Sequence, residues 1–124
     1  MRVVKVVDAS ALAALVFGEP DAEIMLAEMK GCVLAAPALL PFELANVCLK
    51  KMQRHPRQRE SLLDAYKLLG EIDIELIDVE FSEVIVLAEK AALTAYDAAY
   101  LWLARILKVE LITLDKRLAR AVVK

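Results

Sequence analysis

Four acidic residues occupy settings that do not suit a charge. Asp8 lies in Val6-Val7-Asp8-Ala9-Ser10-Ala11-Leu12, where a β-branched run stops and an alanine-rich run begins. Glu43 lies in Leu39-Leu40-Pro41-Phe42-Glu43-Leu44-Ala45, Asp97 in Tyr96-Asp97-Ala98-Ala99-Tyr100, and Asp115 in Leu111-Ile112-Thr113-Leu114-Asp115. An ionised carboxylate loses several kcal/mol of hydration in apolar surroundings, so it requires a partner cation or a proton. Two carboxylates about 4 Å apart repel by roughly 4 kcal/mol at an effective dielectric near 20. Several such pairs rival the roughly 5 to 15 kcal/mol that holds a domain folded. The flanking sequence offers little positive charge beyond Lys116 and Arg117, so a cluster of these four acids must take up protons or bind a cation. An all-oxygen donor set selects a hard ion, Mg2+ or Mn2+, rather than zinc.

The residues that are missing narrow the chemistry further. His55 is the single histidine, and it sits beside Pro56 in a basic run, so a serine or cysteine triad or a histidine-ligated zinc site has almost no raw material. With only three glycines the chain has no glycine-rich phosphate loop. Carboxylates around a divalent ion, without other catalytic groups, suit phosphodiester hydrolysis.

The elements that must position these acids follow from hydrophobic periodicity and punctuation. Residues 3–7 form a short β-branched strand that hands over at Asp8 to a helix over 10–17, with Ser10 as its cap and Gly18 as its stop. A second helix opens at Pro20-Asp21 and continues to Lys30, before a strand over 32–35. Pro37 and Pro41 lead into a helix through Glu43 to about Gln53, broken at His55-Pro56, and a further helix spans 57–69. Residues 72–79 alternate as a strand, followed by helices over 81–90 and 94–108. Thr94, three residues before Asp97, forms a capping pair with it. A fourth strand over 110–113 precedes Asp115 and a last helix over 116–123. Strands joined by helical crossovers specify an α/β fold, with a parallel sheet of about four strands flanked by helices. In such a sheet the functional crevice lies beyond the carboxyl ends of the strands, where Asp8 and Asp115 fall. Glu43 and Asp97, early in helices, can lean over the same edge.

The 124 residues make one domain, 1–124, long enough for a full core. Sixty per cent of them are hydrophobic and 6% aromatic, which describes an aliphatic interior without disorder. The net charge of −2 argues against coating nucleic acid by bulk charge, so any attraction for phosphate must be local. No secretory signal pattern is complete, and the most apolar stretch, 33–49, contains Pro37, Pro41 and Glu43, so the protein is expected to be cytoplasmic with no membrane partner. Cys32 and Cys48 lack metal-ligand spacing and are expected as buried thiols.

Val7-Asp8-Ala9-Ser10-Ala11-Leu12, Glu43-Leu44-Ala45-Asn46-Val47, Tyr96-Asp97-Ala98-Ala99-Tyr100-Leu101 and Thr113-Leu114-Asp115-Lys116-Arg117-Leu118 resemble the signatures of PIN-domain ribonucleases. Their order and spacing are most similar to the VapC toxins of prokaryotic toxin-antitoxin pairs. Each motif alone is weak, while four in order span essentially the whole chain. The resemblance implies a PIN-like three-layer sandwich and Mg2+- or Mn2+-dependent endonucleolytic cleavage of RNA. It makes Asp8, Glu43, Asp97 and Asp115 the catalytic and metal-binding quartet, with Asp8 and Asp97 in direct contact with metal and Glu43 and Asp115 acting directly or through water. Ser10, Asn46 and Thr113 are the candidates for hydrogen bonds that orient the acids. The resemblance further implies a homodimer and a VapB antitoxin whose arginine enters the acidic pocket. PIN domains usually carry a further edge strand after the last helix, and Ala121-Val122-Val123-Lys124 leaves that strand absent or vestigial.

The run Lys50-Lys51-Met52-Gln53-Arg54-His55-Pro56-Arg57-Gln58-Arg59 is locally basic, and Lys50, Lys51, Arg54, Arg57 and Arg59 are candidate contacts for RNA phosphates; the competing reading is a solvated helix connection. No aromatic residue is interleaved there to stack on bases. Tyr96, Tyr100 and Trp102 read as packing residues of their helix, with Tyr96 and Tyr100 on one i,i+4 face. Met25, Met29 and Phe17 read as core. The alternative to an enzyme is a catalytically inactive PIN-like module that binds a protein partner or RNA. A phospho-acceptor domain is disfavoured because Ala9 follows Asp8, where a second acid would be required.

Overall fold

Short β-branched runs separated by amphipathic helices fold here as the pattern requires. A computed structural model describes residues 2–123. Strand β1 (Val4–Val7) leads into α1 (Ala9–Val16) and α2 (Ala22–Met29), then β2 (Val33–Pro37), α3 (Leu40–Arg54) and α4 (Arg59–Lys67). Strand β3 (Ile74–Ile77), α5 (Phe81–Ala91), α6 (Ala95–Leu107), β4 (Leu111–Ile112) and α7 (Lys116–Val123) complete the order. The sheet runs β3-β2-β1-β4 and every pairing is parallel, with Val6 opposite Ala35 on one side and Leu111 on the other. The chain steps outward from β1 to β2 to β3, then returns to place β4 on the far side of β1. That reversal makes the carboxyl ends of β1 and β4 a topological switch point, the place where open parallel sheets leave a crevice. Right-handed crossovers put the helices before and after the reversal on opposite faces, which gives a three-layer sandwich.

The core is aliphatic. Val6, Val7, Leu12, Leu44, Leu101, Leu103, Ile112 and Leu118 are buried, and α6 packs directly across β1, β2 and β4. Its small side chains Ala98, Ala99 and Ala104 are also buried, so this helix can approach the sheet closely enough to carry Asp97 to the edge. Lys5, the charge that interrupts the first strand, is half-buried and answered by Glu110 at 3.4 Å and by the Glu28 carbonyl at 3.0 Å. Met25, Met29 and Cys48 are buried, Phe17 packs against the core, and Cys32 is only half-buried, open enough to differ from the expected buried thiol.

Several boundaries differ from the sequence expectation for local reasons. The cap of α1 is Asp8, not Ser10: its Oδ1 accepts the Ala11 N–H at 3.0 Å, and Ser10 falls inside the first turn. Strand β2 runs on to Pro37, opposite Ile77, because a proline at the end of a strand forfeits little pairing; Pro41 instead occupies the first turn of α3. The expected helix over 57–69 divides into a 3-10 turn at Pro56–Gln58, α4, and a second 3-10 turn at Leu68–Glu71. The strand expected over 72–79 shortens to Ile74–Ile77. After α7 no strand follows among the described residues, and Lys124 lies outside them. Among the described residues no helix is long and apolar enough to cross a membrane.

Candidate active site

At the switch point Asp8 is held from three sides. The residue is 4% exposed, and its Oδ1 accepts the Ser10 hydroxyl at 2.8 Å as well as the Ala11 N–H. The Thr113 hydroxyl donates to its Oδ2 at 2.5 Å. Ser10 Oγ in turn accepts the Leu114 N–H at 2.9 Å, and Thr113 Oγ1 accepts the Asp115 N–H at 3.0 Å. Asp8 N–H itself donates to the Ile112 carbonyl. The end of β1 and the end of β4 are thus stitched together through two hydroxyls, and Asp8 has one orientation. Asp115 caps α7, accepting the Leu118 N–H at 3.0 Å.

Glu43 reaches the same edge from the first turn of α3, where the Tyr100 hydroxyl donates to its Oε1 at 2.5 Å. Tyr100 is 1% exposed, so its ring is a core residue and its hydroxyl a positioning group. Asp97 sits in the first turn of α6, and its N–H donates to Thr94 Oγ1 at 3.1 Å, the expected capping pair. Its carboxylate is thereby left free, because the cap uses the backbone of Asp97 rather than the side chain.

Electrostatics join the four acids into one unit. Burial raises the pKa of Asp8 above the usual carboxylate range, with the Asp115 charge adding to it and the bonds from Thr113, Ala11 and Ser10 opposing it. Burial also raises Glu43, and the charges of Asp97 and Asp8 push the same way against the Tyr100 bond. Asp97 is raised by burial and by Asp115, and is opposed by Thr94 and by the Arg117 guanidinium. Burial and the adjacent Glu43 raise Tyr100, so its hydroxyl stays a donor. Glu43 therefore feels Asp97 and Asp8, while Asp8 and Asp97 each feel Asp115.

A family model for the PIN domain matches residues 5–124. The chain belongs to the PIN domain family. No curated protein matches it. Among solved structures it is similar to PAE2754 from Pyrobaculum aerophilum, with 26% identity and a TM-score of 0.77 over 98% of this chain and 87% of that one. It is also similar to Mycobacterium tuberculosis VapC20, a sarcin-ricin loop cleaving toxin, with 16% identity and a TM-score of 0.67 over 94% of each chain. At that identity the likeness to VapC20 is one of fold.

In this PIN domain the donor chemistry fits a hard divalent cation: the acids offer oxygen only, share one partly desolvated edge, and repel one another. Among the described residues no three acidic, histidine or cysteine side chains are gathered as a ready-made ligand cage. Mg2+ does not require one, since it keeps several waters and takes one or two carboxylates. Asn46 is exposed, one turn beyond Glu43, and makes no hydrogen bond to the acids. The basic run lies toward the other end of α3, with Arg54 about 16 Å along the axis from Glu43. Lys51 there is already engaged, with Glu19 at 3.1 Å and the Phe17 ring at 5.6 Å. The structure thus puts Ser10 and Thr113 in direct contact with Asp8 and sets the four acids within electrostatic reach of one another in pairs, while Arg54, Arg57 and Arg59 lie toward the far end of α3.

Sequence reasoning missed two features of the PIN-domain edge. Tyr100 bonds Glu43 from inside the core, a role its i,i+3 spacing from Asp97 could have suggested. Phe42 and Tyr96, 84% and 65% exposed, line a cavity of about 620 Å³ with Glu43 and Asn46, so Tyr96 is not a packing residue. Trp102 is half-buried, its indole N–H donating to Glu83 at 3.0 Å.

Proposed function

We propose that this PIN domain is a metal-dependent endoribonuclease that hydrolyses RNA phosphodiester bonds, the toxin of a type II toxin-antitoxin pair. The observation that carries the reading is Asp8 buried at the switch point and locked by Ser10 and Thr113, with the charges of Glu43, Asp97 and Asp115 linked to it and to one another in pairs. Mg2+ or Mn2+ is the proposed cofactor, held by Asp8 and Asp97, with Glu43 and Asp115 acting directly or through water. When bound, the ion supplies Lewis-acid polarisation of the phosphoryl group and eases deprotonation of water. Hydrolysis joins a water oxygen to phosphorus and breaks one P–O ester bond, leaving a phosphate monoester on one fragment and a hydroxyl, protonated from solvent, on the other. Glu43, oriented by Tyr100 and of raised pKa, is placed to accept the proton that the water gives up. Ser10 and Thr113 hold Asp8 in register throughout. The exposed Phe42 and Tyr96 beside Glu43 suit unstacked bases of single-stranded RNA.

The likeness in fold to VapC20, itself a sarcin-ricin loop cleaving toxin, supports the toxin reading; a VapB-like antitoxin, a homodimer and a cytoplasmic setting are proposed with it. Asp8→Asn and Asp97→Asn are expected to lower Mn2+-dependent cleavage of RNA at least a hundredfold, with circular dichroism unchanged. Full cleavage by either variant overturns the reading. One observation favours a second reading, a binding module that is not an enzyme: the Arg117 guanidinium already eases the charge of Asp97, so a partner's arginine can answer the acids as an ion would. That module forms a tight complex with a partner and cleaves no RNA with any metal.

A further inference from the structure

The acids pose a problem for any anionic substrate. Four carboxylates keep a formal negative charge after one divalent ion is bound, and a phosphate brought to them is repelled unless cations stand close by. In the basic run of residues 50–59, Lys51 is already paired with Glu19 and Arg54 lies about 16 Å along α3 from Glu43. A second group of cations gathers elsewhere. Lys90 in the last turn of α5, Arg105 in the last turn of α6, and Arg117 and Arg120 one turn apart on α7 line a single cavity of about 620 Å³. All four are exposed, and among the described residues no ion pair engages any of them. Arg105 donates one bond to the Ala121 carbonyl at 3.5 Å, which ties α6 to α7 and leaves most of its donors unused.

Arg117 links this cavity electrostatically to the acidic edge. It belongs to the cavity and also acts on Asp97, and it lies two residues beyond Asp115. Three helices therefore gather positive charge in one cavity, with Arg117 within electrostatic reach of Asp97, in a chain whose net charge is −2.

We propose that the cavity of Lys90, Arg105, Arg117 and Arg120 is a backbone-phosphate site that holds the RNA strand next to the acids. The proposal rests on the nuclease reading and deepens it, by assigning substrate affinity to this cavity rather than to residues 50–59. Arginine suits the task because its planar fork of donors meets phosphate oxygens in pairs.

The test measures binding of a fluorescein-labelled oligouridylate by anisotropy over a range of salt concentrations, in the full chain carrying Asp8→Asn to prevent cleavage. Lys90→Ala/Arg120→Ala removes two cations that make no hydrogen bond within the fold. It is expected to weaken binding about tenfold or more at roughly 0.15 M salt and, with two cations removed, to make the slope of log K against log salt shallower by about 1.4. Lys90→Arg/Arg120→Lys is expected to keep the slope, which separates charge from shape. Arg57→Ala/Arg59→Ala is expected to leave it unchanged. An unchanged slope in the cavity variant, or a loss confined to the Arg57/Arg59 variant, overturns the proposal while RNA cleavage by the unmutated chain still stands. Absence of RNA cleavage by the unmutated chain removes both the nuclease reading and this site. Loss of polyglutamate binding in the cavity variant, with RNA binding intact, overturns the proposal and assigns the cavity to an acidic protein partner instead.

Discussion

Thr113 and Ser10 do for Asp8 what a buried carboxylate needs, giving both oxygens a donor while keeping the charge available at the edge. Thr113→Val removes the donor to Oδ2 and the acceptor for the Asp115 N–H, at nearly constant volume. It is expected to cost about 1–3 kcal/mol in urea unfolding, and to lower cleavage by roughly ten- to a hundredfold. A variant as stable and active as the parent contradicts the role given to this hydroxyl. A pH dependence follows from the same site. Asp8, Glu43 and Asp97 have folded pKa values above their ordinary ones, with burial the leading cause. Each binds its proton more tightly folded than unfolded, so its share of stability is complete below the ordinary carboxylate range and is lost as pH rises through the raised value. In metal-free buffer the Tm of the parent chain is expected to fall relative to that of Asp8→Asn as pH rises from about 4 to 7. A constant difference between the two melting curves contradicts it.

At the scale of elements, two helices end on residues in the left-handed region, α5 at Ala92 (φ 55°) and α6 at Lys108 (φ 57°). A side chain there costs about 1–2 kcal/mol, a strain that glycine avoids at some cost in chain entropy. Lys108→Gly is expected to raise stability by about 1 kcal/mol in urea unfolding, and a loss of stability contradicts the assignment of the cap. Elements whose residue types had one reading were legible in the sequence: the β-branched run of β1, the Thr94 cap of α6, the break at His55-Pro56. Those open to two readings were not. Aspartate and serine cap helices about equally well, and here Asp8 takes the cap while Ser10, inside the first turn, donates to its carboxylate. The i,i+4 pair Tyr96 and Tyr100 shares a face by spacing, yet only Tyr100 is buried; Tyr96 is in the first turn of α6, where that face has left the core.

Over the whole molecule, the strand order β3-β2-β1-β4 is what turns acids at positions 8, 43, 97 and 115 into neighbours. A parallel α/β sandwich was legible from alternating strands and helices, but the order was not, since the sequence does not say on which side of β1 the last strand lands. The cation cavity was hidden for a similar reason. Lys90, Arg105, Arg117 and Arg120 are scattered in sequence and gathered only by the packing of α5, α6 and α7, while the conspicuous basic run at 50–59 is carried away from the acids along α3.

The central claim, that four mutually repelling carboxylates form one site completed by a divalent cation, is tested most directly by thermal unfolding with and without Mn2+. A ligand bound only by the folded state at a hundred times its Kd adds about 2.7 kcal/mol. In a chain of this size that raises Tm by roughly 10 °C. The account predicts such a rise for the parent chain and its loss in Asp8→Asn and Asp97→Asn; an equal response in all three proteins, or none in the parent, contradicts it.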